Sequence, residues 1–442
     1  MSDDWVSVEL PSNHEWRFEV TLSDRLTLKL SSGSAEVFGT ELAVGQEYEF
    51  SDTKAAVYSW YGCKLEYNGK VSEYTSEETP MPIYANLHFA LESLREARAL
   101  DSEKPIPSVL VTGPEGCGKS TICKILSSYA FKQGHNPLVV NLDPSNPVFL
   151  PAGSITASPI NDILDVENGW GSSAVNAPSA IRPKQPVTYY YGLDKITENP
   201  QYYQHTIGLL AQVVANRINS DELIASSGLV VDTAPLLADA KAEFDVLRET
   251  ISLFNVNVLA VVGDDRLYSD ILRTLKPKFP KLSIVKIPKS GGVVPDKDRS
   301  WQRQLQKKAI QQYFYGIPRQ LLNPFTLTVR VSDLIVYRVL EGIKPIDNAL
   351  APLDVGDFIA ETSTDQVFLT KVEPSSILQN CVMAMVNASI SDSLETVANS
   401  EVLGFVYVVE ADDNKSNFKI LFPLPARSVD RPFIFGDFRY HE

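Results

Sequence analysis

The sequence predicts a multidomain α/β chain in three parts: an N-terminal β-sandwich, a central parallel sheet with flanking helices, and a smaller, mostly β C-terminal domain. Three observations predict it. Period-2, β-rich stretches recur between Trp16 and Tyr74; short apolar strands then alternate with helical patterns; and strands return beyond Tyr313-Phe314-Tyr315-Gly316. At 442 residues the chain is too long for one ordinary core, and 44% apolar with 21% charged residues is a globular composition. The expected divisions are 1–100, 101–316 and 317–442.

In the first part the strands read Trp16–Val20, Leu26–Leu30, Glu36–Gly39, Tyr48–Phe50, Ala55–Tyr58 and Cys63–Tyr67, with turns expected at Ser31-Ser32-Gly33 and Asn68-Gly69. A helix follows from about Pro82 to Leu100, with Ile83, Leu87, Leu91, Leu94 and Ala97 at helical spacing. The break from Asp101 to Pro107 leads into the next strand.

That strand, Val109–Thr112, runs into Gly113-Pro114-Glu115-Gly116-Cys117-Gly118-Lys119-Ser120-Thr121, which fits the P-loop pattern G-x-x-x-x-G-K-[ST]. The glycines let the backbone turn tightly enough for successive N–H groups to face phosphate oxygens, and the helix beginning near Lys119 adds its positive end. Lys119 supplies a cation for the outer phosphates and the Ser120 hydroxyl a ligand for Mg2+. Ile122, Ile125, Leu126 and Tyr129 fall on one face of that helix, so strand, loop and helix stand in the order the motif requires. The central part is therefore a P-loop NTPase domain.

Further strands are expected at Leu138–Asp143, Leu229–Asp232, Val258–Val262 and Ser283–Ile287. A carboxylate at a strand end must steady the Mg2+ shell, and either Asp143 or Asp232 could serve. No N-K-x-D motif for guanine follows a later strand, which favours adenine. The run Glu167 to Lys184 reads as a long surface loop. In the last part, strands are expected at Leu327–Val331, Leu334–Tyr337 and Gly404–Val409.

Composition narrows the function. Cys63, Cys117, Cys123 and Cys381 are scattered, without a C-x-x-C pair or a His partner at metal spacing, which fits a reducing compartment and argues against zinc. No basic, apolar leader opens at Met1–Asp4 and no apolar run of about 18 residues occurs, so a soluble protein of cytoplasm or nucleus is expected, with no membrane partner. Net charge of −15 disfavours direct grip on RNA. The one basic cluster, Lys297, Arg299, Arg303, Lys307 and Lys308, reads either as a solvated helix face or as a functional lane.

Glu15-Trp16 before Arg17–Val20, Gly39-Thr40-Glu41-Leu42, the P-loop, Asn141-Leu142-Asp143-Pro144, Ser290-Gly291-Gly292-Val293-Val294 and Tyr313–Gly316 together carry a resemblance over essentially the whole chain. The chain resembles the fungal Clp-type subunits of the eukaryotic mRNA cleavage and polyadenylation factor (cleavage factor IA), relatives of the polynucleotide 5′-hydroxyl kinases. The resemblance implies that the sandwich leans over the adenosine end of a bound ATP, with Glu15 and Lys54 as its contacts. The other reading of each is a surface charge. The ATP site is expected to comprise Glu15, Lys54, Gly113, Glu115, Gly116, Cys117, Gly118, Lys119, Ser120 and Thr121, with Ser120 and Asp143 on Mg2+.

The departures from the kinases decide between enzyme and scaffold. Where the kinases carry D-x-G-Q, this chain reads Asp143-Pro144-Ser145-Asn146. Where they carry T-x-G-W, whose Trp clasps the nucleic acid, it reads Thr233-Ala234-Pro235-Leu236, forfeiting a stacking contact of about 1–3 kcal/mol. The arginine-rich lid keeps Arg299 and Arg303 but continues as Gln302, Gln304, Gln306, Lys307, Lys308, Gln311 and Gln312. Loss of such an arginine costs ~10³-fold in rate or more. No catalytic residue is assigned, and the expectation is an ATP-binding, non-catalytic assembly subunit of nuclear pre-mRNA 3′-end processing. The implied partner is the scaffold subunit that binds the RNA polymerase II C-terminal domain, docking on the central domain, together with other 3′-end processing subunits. An active 5′-hydroxyl kinase is the alternative, and a remodelling ATPase a more distant one.

Overall fold

The structure, a computed structural model, describes residues 5–21, 23–170, 186–235, 240–263, 265–291, 299–317, 320–342, 368–412, 417–423 and 430–441. The chain divides into two compact units. The first comprises Met1–Asp143, Thr156–Pro186 and Ala211–Arg303; the second comprises Pro144–Ile155, Val187–Leu210 and Gln304–Glu442.

The first unit opens with a β-sandwich. One sheet has four strands in the order Val6–Leu10, Cys63–Gly69, Leu26–Gly33, Glu47–Phe50; the other has five, Thr40–Glu41, Glu36–Val37, Thr53–Ser59, His14–Val20, Ser72–Ser76. Alternation drives the packing: Trp16, Phe18 and Val20 from one sheet meet Leu26, Leu28, Leu30 and Leu65 from the other in a closed apolar core. The turn expected at Ser31-Ser32-Gly33 is absent. Those residues continue the Leu26–Gly33 strand, and the register slips between Leu30 and Ser32 in an irregularity that uses the polar pair. Asn68-Gly69 ends its strand as expected, with Gly69 at φ 126°.

The helix Met81–Leu100 starts with Pro82 in its first turn, where a missing N–H costs nothing. Its buried face differs from the expected one. Leu87 and Leu91 are inside, but Ile83 and Leu94 are exposed, and the packed positions include Tyr84, His88 and Arg95. Polar residues hold this face because they find partners: Arg95 Nε donates to the Ser227 carbonyl at 2.9 Å and its Nη1 to Glu92 at 3.0 Å. Glu92 also contacts His135 at 2.6 Å.

The central sheet carries the P-loop. Within the first unit its strands run in the order 156–159, Leu138–Asn141, Leu229–Asp232, Ser108–Thr112, Val258–Val262 and Ser283–Ile287. All neighbours are parallel except the first pair: residues 156–159 run antiparallel to Leu138–Asn141, from Asn141↔Thr156 to Leu138↔Pro159. The sheet is thus mixed rather than wholly parallel, because the strand after the Asn141 exit turns straight back without a crossover helix. Ser108–Thr112 is buried throughout, as a central parallel strand must be.

The second unit is mostly β. Its seven-stranded sheet runs Phe325–Arg330, Asn417–Phe422, Val402–Glu410, Val382–Val386, Phe433–Phe435, Val336–Val339 and Leu369–Val372, antiparallel except where Val336–Val339 meets Phe433–Phe435. Phe418, Phe433, Phe435, Met383 and Val408 fill one face. The helix Arg299–Tyr315 contributes Tyr313, whose hydroxyl accepts from the Phe405 N–H at 2.9 Å.

Candidate functional site

Parallel register brings three strand ends level at the carboxyl edge of the central sheet. Val111 and Asn141 both stand opposite Asp232, so Gly113, Asp143 and Thr233 leave the sheet side by side. This is where an open α/β sheet takes its ligand.

The P-loop turns on three positive-φ glycines: Gly113 at 158°, Gly116 at 68° and Gly118 at 96°. Two of them act differently. A Cβ at Gly113 would meet the Val262 carbonyl at 2.3 Å, so this glycine lets the loop pass close to the neighbouring strand. A Cβ at Gly118 meets nothing within 4 Å and faces open space at the mouth of the helix Lys119–Lys132. Lys119 is buried, with Nζ donating to the Gly113 carbonyl at 3.2 Å and the Pro114 carbonyl at 3.0 Å. Glu115 is exposed; Gly116, Ser120 and Thr121 are half-buried. The Cys117 thiol is buried, and burial pushes its pKa up, against the pull of Lys119 and Lys289.

Of the two candidate metal-steadying carboxylates, Asp143 is 8% exposed and its N–H donates to Asn141 Oδ1 at 3.2 Å. Asp232 lies deeper, at 3%, and the Ser120 hydroxyl hydrogen-bonds it. Burial pushes the Asp232 carboxyl up to about 6, opposed by Lys119 and the Ser120 bond and helped by Asp143. Its Oδ1 is buried without a protein hydrogen-bond partner. Asp143 and Asp232 lie within electrostatic reach of each other, so both strand-end carboxylates stand at one place.

The outer face of the sandwich carries the remaining candidates. Glu15 and Arg17 lie on the side of the His14–Val20 strand opposite the core, yet both are buried. Glu15 accepts from Arg17 Nε at 2.7 Å and from the Thr79 hydroxyl at 2.5 Å. Tyr84 lies within electrostatic reach of Glu15, Arg17 and Cys117, its hydroxyl pushed well up by burial and then by the two acidic groups. Lys54 stands opposite Glu19, four residues along from Glu15 or roughly 13 Å, and pairs with Glu19 at 2.8 Å. Glu15 is thus fixed within electrostatic reach of Tyr84, which is itself within reach of Cys117, while Lys54 forms a half-exposed ion pair with Glu19.

The sandwich grips the P-loop helix along its length. Gly39 packs on it so closely that a Cβ would meet the Ile125 carbonyl and the Ser128 Cβ at 3.1 Å. The Tyr129 hydroxyl donates to the buried Glu36 carboxylate, Lys132 pairs with Glu41 at 2.6 Å, and Lys124 Nζ lies 5.1 Å from the Phe38 ring centre.

The donor set fits a magnesium nucleotide: open space at Gly118, a buried lysine, and a buried carboxylate oxygen beside a hydroxyl. Among the described residues no three His, Cys, Asp or Glu side chains converge as a metal cage. Gly292, Val293, Val294, Leu236, Lys297 and most of Glu167–Lys184 lie outside the described residues, as does the Arg299 side chain.

Sheet order, loop and strand-end acid define a P-loop nucleotide-binding protein with an added β-sandwich. Family models agree in three consecutive stretches: the N-terminal β-sandwich domain of polyadenylation factor over residues 9–98, the mRNA cleavage and polyadenylation factor CLP1 P-loop over 113–316, and the pre-mRNA cleavage complex II protein Clp1 over 322–442. The chain belongs to the CLP1 family of mRNA cleavage and polyadenylation factors. It is 38% identical to the factor clp1 of Botryotinia fuckeliana, over 97% of this chain and 92% of that one. With CLP1 of Yarrowia lipolytica it shares 35% over 99% and 96%. A wild-type Clp1p–Pcf11p complex superposes with TM-score 0.87 at 31% identity, covering 100% of this chain and 99% of that one. A second structure, described as an extended Pcf11p–Clp1p interface and the structural basis for ATP loss in a point mutant, gives 0.87 at 30% identity, with full coverage of both.

Proposed function

We propose that this protein is an ATP-binding, non-catalytic assembly subunit of the nuclear pre-mRNA 3′-end cleavage and polyadenylation machinery, divided at 1–100, 101–316 and 317–442. Bound ATP supplies charge and a bridge between sandwich and central domain rather than a reacting phosphoryl group. Gly113, Glu115, Gly116, Cys117, Gly118, Lys119, Ser120 and Thr121 hold the phosphates, Ser120 with Asp143 and Asp232 hold the Mg2+ shell, and Glu15 and Lys54 serve the adenosine end. Ligand that binds only the folded state stabilises it by mass action.

One observation supports the reading: the P-loop pattern is intact from Gly113 to Thr121, while the kinase motifs D-x-G-Q and T-x-G-W read Asp143-Pro144-Ser145-Asn146 and Thr233-Ala234-Pro235-Leu236. Thr233 Oγ1 donates to the Val111 carbonyl at 2.9 Å, and Gln306 Nε2 donates to the Ser145 carbonyl at 3.0 Å.

The test is to denature protein purified without added nucleotide, identify what it releases by chromatography, and assay the same batch for phosphorylation of 5′-hydroxyl RNA. Stoichiometric ATP without labelled RNA supports the proposal. RNA labelling abolished by Lys119→Ala makes the protein a working kinase and overturns it. The partner we propose is the scaffold subunit that binds the polymerase C-terminal domain, through residues 101–316, in company with other 3′-end processing subunits. Undiminished capture of that scaffold by a chain lacking 101–316 refutes the placement.

A further inference from the structure

A strand with an apolar core on one side normally leaves charges on its other side in water. Arg17 is only 9% exposed and Glu15 only 4%. The burial is built from specific contacts. Arg17 Nε donates to Glu15 Oε2 at 2.7 Å, Nη2 to the Glu78 carbonyl at 2.6 Å and Nη1 to the Tyr74 hydroxyl at 3.3 Å, with the guanidinium carbon 5.7 Å from the Tyr74 ring centre. The Thr79 hydroxyl donates to Glu15 Oε1, so both carboxylate oxygens are fixed and the group cannot rotate freely.

On its other side Arg17 meets the turn that follows the Ser283–Ile287 strand. A Cβ on Gly291 would lie 3.1 Å from Nη1. The backbone angle of Gly291 is outside the left-handed region, so the glycine is needed for space rather than for conformation. Lys289, in the same turn, lies within electrostatic reach of the P-loop Cys117, and Tyr84 lies within reach of Glu15, Arg17 and Cys117 together. One guanidinium thus joins a sandwich carboxylate to a turn at the carboxyl edge of the central sheet.

We infer that Arg17 is a positioning residue for the nucleotide: it aims the Glu15 carboxylate at the adenosine end and seats the Ser290-Gly291 turn against the sandwich. This rests on the nucleotide reading above. Affinity for the adenosine end depends on Arg17, whereas affinity for the triphosphate end does not. Lysine cannot substitute, because a single ammonium cannot hold a carboxylate, a carbonyl and a hydroxyl in one plane.

The experiment is calorimetric titration of nucleotide-stripped full-length protein with Mg-ATP and with Mg-tripolyphosphate, for wild type, Arg17→Met, Arg17→Lys and Gly291→Ala. Arg17→Met is expected to lose about tenfold or more in ATP affinity, the worth of a buried charged hydrogen bond, while tripolyphosphate affinity stays put. Arg17→Lys recovers little of it. Gly291→Ala, which leaves every Arg17 partner in place, moves ATP affinity the same way, and the Arg17→Met/Gly291→Ala double variant is no worse than the worse single one. Equal loss for both ligands, or an Arg17→Met protein with wild-type ATP affinity, overturns the inference alone. Wild-type protein that binds neither ligand overturns the nucleotide reading with it.

Discussion

The two sides of the sheet's carboxyl edge differ in what their residues bond to. At the P-loop, Gly118 borders open volume, and Asp232 Oδ1 is buried with no protein hydrogen-bond partner. At Thr233 the hydroxyl is turned inward, to the Val111 carbonyl. The first side keeps its hydrogen-bonding capacity for a ligand; the second has exchanged it for internal order. On the function proposed above, holding a nucleotide and presenting it to another molecule are separable properties of one fold.

The strongest way to break that contrast is Lys119→Ala. Removing the buried cation is expected to cost about 4 kcal/mol of ATP binding. It also removes the increment of about 2.7 kcal/mol that ligand at a hundredfold excess over Kd lends the fold. Thermal melts with and without ATP check this: wild type shifts up, the variant does not, and the two nucleotide-free proteins melt alike.

Next comes the core behind the cradle. His88 packs edge-on to Tyr129 of the P-loop helix at 5.4 Å between ring centres, and burial first, then Arg95 and His135 against Glu92, hold its pKa down at about 4. Because the folded value lies below the unfolded one, the unfolded chain takes the proton first. Stability is full above pH ~6.5 and falls as pH drops toward 4, by about 3 kcal/mol. Denaturant melts across that window should show the slope, and His88→Phe should flatten it.

A smaller effect sharpens the role of the glycines. Gly118→Ala places a side chain at positive φ, costing about 1–2 kcal/mol of stability, but its Cβ enters the open mouth of the cradle, so ATP retention should be lost outright. Retention of ATP by this variant would show that the space is not the phosphate site. The smallest change is Lys54→Ala. Its pairing with Glu19 is half-exposed, so stability should shift by under about 0.5 kcal/mol, and any larger loss in ATP affinity then reports a direct contact.

What was legible in the sequence was local. The P-loop could be read because its chemistry resides in backbone angles that glycine spacing dictates, and the sandwich because alternation survives along each strand. What escaped depended on partners distant in sequence. Arg95 belongs to the packed helix face because Ser227 supplies a carbonyl, so counting apolar residues selected Ile83 and Leu94 instead. The antiparallel strand after Asn141 carries no mark distinguishing it from a parallel one. Burial of Arg17 was invisible for the same reason: alternating charges on a strand read as solvated until Thr79, Tyr84 and Gly291 arrive.

That order of arrival matters while the chain is being made. The sandwich strands and the Thr79 hydroxyl emerge early, but Gly291 is more than two hundred residues further on. At ~5–20 residues per second, Arg17 waits roughly 14–55 s before the turn that covers it exists. For that interval the Arg17 side of the newborn sandwich lacks the Gly291 turn that packs beside it in the finished protein.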